Sequence, residues 1–253
     1  MYAISLTSIP PRFDRLLPVV RSLLAQRPAP ARVILCLPER PARFAPAALP
    51  ALPYGVDVLP VPHDEGPATK VLPAARALAG QIDRLIYCDD DWIMPPHWAA
   101  RLLEATGAKS ASTAAGFNVD RLKRSSHRPP DETRCDIALG YAGAAIRPEW
   151  LAGPDCTPPP EAWAVDDIWL SALLARQDIT IRRVRAARVG MRLAYEDGHA
   201  LQNARIGGLR RDAANLACAD MLTARFGLWP PLDRSLSVPD RSPGSHGPSC
   251  DLV

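Results

Sequence analysis

Leu85-Ile86-Tyr87-Cys88-Asp89-Asp90-Asp91 is the stretch from which the rest of the chain is read. An apolar run of strand length gives way, without a spacer, to three adjacent carboxylates. Open α/β sheets bind ligands in the crevice outside the carboxyl ends of their strands, so this order of residues puts negative charge where a ligand would lie. Side chains alternate along an extended backbone, which sends Asp89 and Asp91 to one side and Asp90 to the other. Three carboxylates in a row repel one another, and a hard divalent cation, Mn²⁺ or Mg²⁺, relieves the repulsion. The competing reading is a solvated acidic turn that ends the strand, with one Asp capping the next helix.

Outward from that stretch, short apolar runs alternate with helical patterns. Ala3–Leu6 reads as a first strand, and 13–26 as a helix with Leu16, Leu17, Val20, Leu23 and Leu24 on one face. Strands at 32–37 and 56–59 follow, the second inside a segment, Pro38 to Pro62, whose seven prolines predict extended loop. Val71–Leu78 reads as helix, Pro95 starts another through about Glu104, and Ser110–Ala115 and Thr180–Val184 read as further strands. A helix spans 167–174. This alternation predicts an α/β fold with a mostly parallel central sheet flanked by helices. The organisation expected is a single domain over 1–234, its first half (1–118) binding a ligand and its second (119–234) completing the site. Residues 235–253, rich in Ser, Pro, Gly and Asp, read as a disordered tail.

Composition narrows the function. The 253 residues carry 30 Lys+Arg against 27 Asp+Glu, a net charge of +3, too little surplus for a nucleic-acid partner. Lysine is scarce, with only Lys70, Lys109 and Lys123 among those 30 cations, so each one draws notice. Met1–Leu6 has no basic, long-apolar leader pattern, and the longest uncharged stretch, Phe44 to Val56, is broken by three prolines and too short to span a bilayer. A cytoplasmic protein is expected. The six cysteines include no C-x-x-C pair and read as reduced, buried thiols.

Three other constellations bear chemistry. Asp64-Glu65-Gly66-Pro67-Ala68-Thr69-Lys70 precedes a helix, where backbone N–H groups and Lys70 could meet a phosphate; a Gly-Pro turn with Thr69 as N-cap is the alternative. Thr7-Ser8-Ile9-Pro10-Pro11-Arg12, after the first strand, is a second loop-to-helix junction with a cation. Trp163-Ala164-Val165-Asp166-Asp167 sets two carboxylates at a helix start, either as caps or as a general base beside an aromatic wall, Trp163, suited to a sugar face. Among the histidines His199 is the candidate metal ligand, with a surface turn as its other reading. The basic stretch Arg121, Lys123, Arg124 and Arg128 could touch anionic lipid or an acidic acceptor, or be a solvated loop.

In order, these elements, with Gly140-Tyr141-Ala142-Gly143 between them, resemble GT-A type, family-2-like bacterial glycosyltransferases over about residues 3 to 200. The resemblance implies the GT-A (nucleotide-diphospho-sugar transferase) fold and a nucleotide-sugar donor. It implies Mn²⁺ or Mg²⁺ on the D-x-D carboxylates Asp89 and Asp91, with His199 a candidate third ligand. Thr7, Arg12, Asp64, Lys70, Asp89 and Asp90 would line the donor, and Tyr141, Gly143 and Trp163 the acceptor. Asp167 would deprotonate the acceptor hydroxyl, with Asp166 at the family's usual glutamate position. After the second strand, Leu37-Pro38-Glu39-Arg40 replaces the family's acidic, serine-containing turn. The implied activity is inverting transfer to a saccharide or lipid-linked acceptor in cell-surface polysaccharide synthesis, with peripheral association at the inner membrane. Two alternatives stand beside it: a haloacid-dehalogenase-like phosphatase, since a strand ending in D-x-D opens those enzymes too, and a non-catalytic nucleotide-sugar-binding scaffold.

Overall fold

Tyr2–Thr7 (β1), Arg32–Pro38 (β2), Val56–Val61 (β3) and Arg84–Tyr87 (β4) run parallel, in the spatial order β3-β2-β1-β4. The structure is a computed structural model that describes residues 1–126, 131–196, 198–199 and 208–232. Further strands are β5 (Trp92–Ile93), β6 (Ser110–Thr113), β7 (Gly116–Phe117), β8 (Arg134–Cys135), β9 (Ile137–Ala138), β10 (Ala144–Ile146), β11 (Thr180–Arg183) and β12 (Arg192–Leu193). The helices are α1 (Leu16–Leu24), α2 (Leu72–Leu78), α3 (Trp98–Ala105), α4 (Asp166–Arg176), α5 (Arg185–Arg188) and α6 (Arg211–Phe226). The eight-stranded main sheet continues β4-β10-β6-β11-β8, with β10 antiparallel to both neighbours and β8 antiparallel to β11. Strand β10, from the second half of the chain, is therefore set between β4 and β6, both from the first half.

Alternation decides which side chains face which helices. Ala3, Ile34, Cys36, Leu85 and Tyr87 pack with α2, α4 and α6, while Ile4, Leu6, Val33, Leu35, Ile86 and Cys88 pack with α1, α3 and α5. Burial on both faces explains why β2 over Val33–Cys36 and β4 over Leu85–Tyr87 are continuous apolar runs without a polar alternate. α4 is enclosed on nearly all sides, Ile168 through Leu174 being buried without interruption, and it holds its two leading carboxylates against the end of the sheet.

The mostly parallel α/β sheet expected from the sequence is present. Several details differ. The 13–26 helix opens as a 3₁₀ turn over Pro10–Arg15, and α3 begins at Trp98, after Pro95 and Pro96. β10 and the 16-residue α6 had no counterpart in the sequence reading. The stripe by which α6 packs is Ala214, Cys218, Ala219 and Leu222, with one large apolar side chain in it, so it does not stand out as a hydrophobic face. Cys36, Cys88, Cys135, Cys156 and Cys218 are buried free thiols. No helix among the described residues is long and apolar enough to cross a membrane. The 235–253 tail lies outside the described residues.

Candidate active site

β4 ends at Tyr87, and the three aspartates that follow do not share one environment. Asp90 turns inward and is buried. Ser8 Oγ donates to its Oδ2 at 2.5 Å, Arg12 Nη1 to its Oδ1 at 2.7 Å, and the Tyr195 hydroxyl to its main-chain oxygen at 3.0 Å. Asp89 and Asp91 lie toward the surface, their side chains 35% and 23% exposed. Asp91 Oδ1 is nonetheless a buried atom with no hydrogen-bond partner among the described residues, and the Arg12 guanidinium reaches only to 3.9 Å from Oδ2. Burial, reinforced by the charges of Asp89 and Asp90, pushes the Asp91 carboxyl up to about 7. Burial likewise raises Asp90, against the pull of Arg12 and Ser8.

Lys70 sits beneath this cluster with a side chain 3% exposed. It comes from a 3₁₀ turn, Gly66–Lys70, that leads into α2. Its ammonium donates to Asp89 Oδ1 at 2.5 Å and lies 3.0 Å from Asp166 Oδ2. That second contact is an ion pair off the direction of a hydrogen bond, so Asp166 Oδ2 has no donor of its own. Burial alone would lower the lysine; Asp166, Asp89 and Asp167 outweigh it and hold it well above its ordinary value. A cation this enclosed needs carboxylate partners, and Lys70 ties the Asp89 end of the sheet to Asp166 at the start of α4.

The second acidic pair is asymmetric. Asp166 is buried, whereas the Asp167 side chain is 13% exposed. Neither caps α4, whose N-cap is Val165 with no side-chain bond. Asp167 Oδ1 instead accepts the Gly140 N–H at 2.8 Å, and Arg211 of α6 approaches Oδ2 to 3.9 Å. Burial, then the charge of Asp166, pushes Asp167 up to about 7, with Lys70 opposing. Gly140 is needed for closeness: a Cβ there would stand 2.7 Å from Lys70 Nζ and 3.1 Å from Asp167 Oδ1.

The other expected residues mostly hold loops. Thr7 Oγ1 donates to the Cys36 carbonyl at 2.7 Å. Asp64 accepts from the Ala42 and Gly66 N–H groups at 2.7 and 2.8 Å, and its own carbonyl accepts Trp163 Nε1 at 3.1 Å. Gly66, at φ +64°, lies so close over Trp163 that a Cβ would come within 2.5 Å of the Trp163 carbonyl. Gly143 is buried at φ +90° and packed on the Trp98 ring. Tyr141 is half-buried at the mouth, with its ring 5.4 Å from that of Trp92. His199 is exposed, edge-on to Phe44 at 5.4 Å. It joins no metal-holding group: among the described residues no three His, Cys, Asp or Glu side chains converge as such.

Sequence reasoning missed Ser8, Gly140, Tyr195, Trp92 and Arg211 as members of the site. Ser8 and Gly140 stand inside segments quoted for their neighbours, and their roles depend on which strand end lies opposite. Arg211 belongs to the helix that the sequence did not reveal.

Asp89 and Asp91 fit a hard divalent cation. The donor set is carboxylate oxygen, one oxygen is buried and unpartnered, and two ligands suffice where substrate phosphates complete the shell.

No protein-family model matches this sequence, and no curated protein matches it. Solved structures do. GalNAc-T7 with UDP, GalNAc and Mn²⁺ superposes with a TM-score of 0.53 at 13% identity, over 88% of this chain and 47% of that one. *S. aureus* TarS 1–349 in complex with UDP gives 0.46 at 13%, over 73% and 57%. The galactosyltransferase LgtC with donor and acceptor sugar analogues gives 0.44 at 11%, over 72% of each chain. This chain thus spans about half the length of two of the three. The first of these likenesses, above 0.5, is one of architecture, and it defines the fold as GT-A type.

Proposed function

We propose that this chain is a glycosyltransferase that moves a sugar, with inversion, from a nucleoside-diphosphate donor to a hydroxyl of a saccharide or lipid-linked acceptor. The observation that carries the reading is the pairing of Asp89 with Asp166 through the buried Lys70, which sets a D-x-D strand end against the carboxylates that start α4. Residues 1–118 would take the donor and 119–234 the acceptor. Asp89 and Asp91 would hold Mn²⁺ or Mg²⁺, which when bound offsets charge on the departing nucleoside diphosphate.

The chain's own groups divide the remaining work. Ser8 and Arg12, by fixing Asp90, orient the two outward carboxylates, and Arg12 keeps positive charge beside the diphosphate site. Asp167 is the base: it is more exposed than Asp166, and a carboxyl pushed up to about 7 balances readiness to accept a proton against being ionised in neutral solution. Gly140 N–H fixes one of its oxygens, leaving Oδ2 to take the acceptor proton. Tyr141 and Trp163 offer ring faces to sugars. Orienting the acceptor hydroxyl against the donor, and keeping water away, favours transfer over hydrolysis.

Incubation with a panel of nucleotide sugars plus Mn²⁺ tests this. Slow release of one sugar from its donor by the wild-type chain, and its loss in Asp167→Asn, is the expected result. Release of inorganic phosphate from simple esters with no nucleotide requirement would instead support a phosphatase.

A further inference from the structure

Between Ile179 and Glu196 the chain carries five arginines and no acidic residue. Arg185 and Arg188 lie on α5 and Arg192 on β12; all three are exposed, and none pairs with a carboxylate among the described residues. Set among them are two apolar side chains open to water, Val189 at 69% exposure and Leu193 at 39%. The rim is anchored to the site. Arg101 Nη1 donates to the Ala186 carbonyl at 2.6 Å, Leu193 pairs with Trp92, and Ala194 N–H donates to the Asp91 carbonyl at 2.7 Å. The Arg188 guanidinium stands 5.7 Å from the centre of the Tyr141 ring at the mouth of the cleft.

We propose that this rim, from α5 to β12, docks the protein on an anionic lipid surface, with the cleft opening beside the bilayer. Cations with no carboxylate partner among the described residues, close in sequence to exposed Val189 and Leu193, match a surface that offers phosphate headgroups above an apolar layer. An acidic saccharide would account for the arginines but not for Val189 and Leu193. The basic stretch singled out in the sequence is a poorer candidate: Arg124 is buried and paired with Asp220, Arg121 packs over Phe117, and Arg128 lies outside the described residues.

The test is co-sedimentation of the full chain with phosphatidylcholine vesicles, with and without phosphatidylglycerol. Binding is expected only when phosphatidylglycerol is present, weakening as salt rises. Arg185→Gln with Arg192→Gln should lower the partition coefficient about 25-fold, at about fivefold per arginine. Val189→Asp should weaken it further, with the thermal midpoint of each variant unchanged. Equal partition onto both vesicles, unchanged binding in the double variant, or capture of a soluble acidic polysaccharide without vesicle binding would overturn the proposal. Sedimentation reads no sugar transfer, so its failure would leave the transferase reading standing, and failure of donor hydrolysis would leave the docking surface standing.

Discussion

Single residues carry the site's electrostatics, and Lys70 is the one whose loss would be felt most widely. Lys70→Met leaves Asp89, Asp166 and Asp167 without their buried counter-charge, and a destabilisation of about 3 kcal/mol is expected. The loss should be smaller at pH 6 than at pH 8, because protonation relieves Asp167, whose carboxyl is already pushed up to about 7; equal losses at both values would argue against this role. For Asp167, kcat should rise with pH through about 7 and level off above it, since the raised carboxyl acts as a base only once its proton has left. A limb in the ordinary carboxylate range would remove Asp167 as the base. Asp167→Asn should leave donor affinity intact and cut turnover by about a hundredfold or more. The alternation that separates Asp90 from Asp89 and Asp91 was legible from three letters in a row, because a strand's geometry is local. The burial of Lys70 was not, since it depends on Asp166 arriving from the far half of the chain.

At the scale of elements, glycine decides how closely loops approach. Gly143→Ala would force a Cβ to 2.1 Å from the Trp98 ring at a backbone φ of +90°, and should lower the denaturant midpoint by the equivalent of about 3 kcal/mol. The same change at Gly80, where φ is +75° but no atom lies within 4 Å, should cost about 1 kcal/mol. Equal costs at the two positions would mean that backbone strain, not contact with Trp98, sets the requirement. Strands β2 and β4 could be read from sequence because each holds a continuous apolar run between loops, and β1 because Ser5 alone interrupts the run Ala3–Leu6. β10, three residues long, and α6, packed through Ala, Cys and Leu, lack such a signature; both are held by tertiary contacts that one segment cannot announce.

Across the whole molecule, β10 pairs with β4 beside the strand end from which the acidic triplet emerges, so the Gly140–Gly143 segment that leads into β10 is brought to the same end of the sheet. That arrangement explains why a near-neutral chain can concentrate carboxylates at one end of its sheet: Lys70 and Arg12 are set in the core beneath them, and the net charge of +3 hides the separation. On the reading proposed above, this end of the sheet binds a nucleoside-diphosphate sugar with the help of a divalent ion on Asp89 and Asp91. Calorimetric titration of the wild-type chain and of Asp91→Asn with nucleotide sugars, with and without Mn²⁺, tests it most directly. One nucleotide class should bind the wild type, Mn²⁺ should tighten it, and Asp91→Asn should lose about 100-fold in the presence of the metal. Absence of binding by any nucleotide sugar, or binding that neither Mn²⁺ nor Asp91→Asn alters, would contradict it.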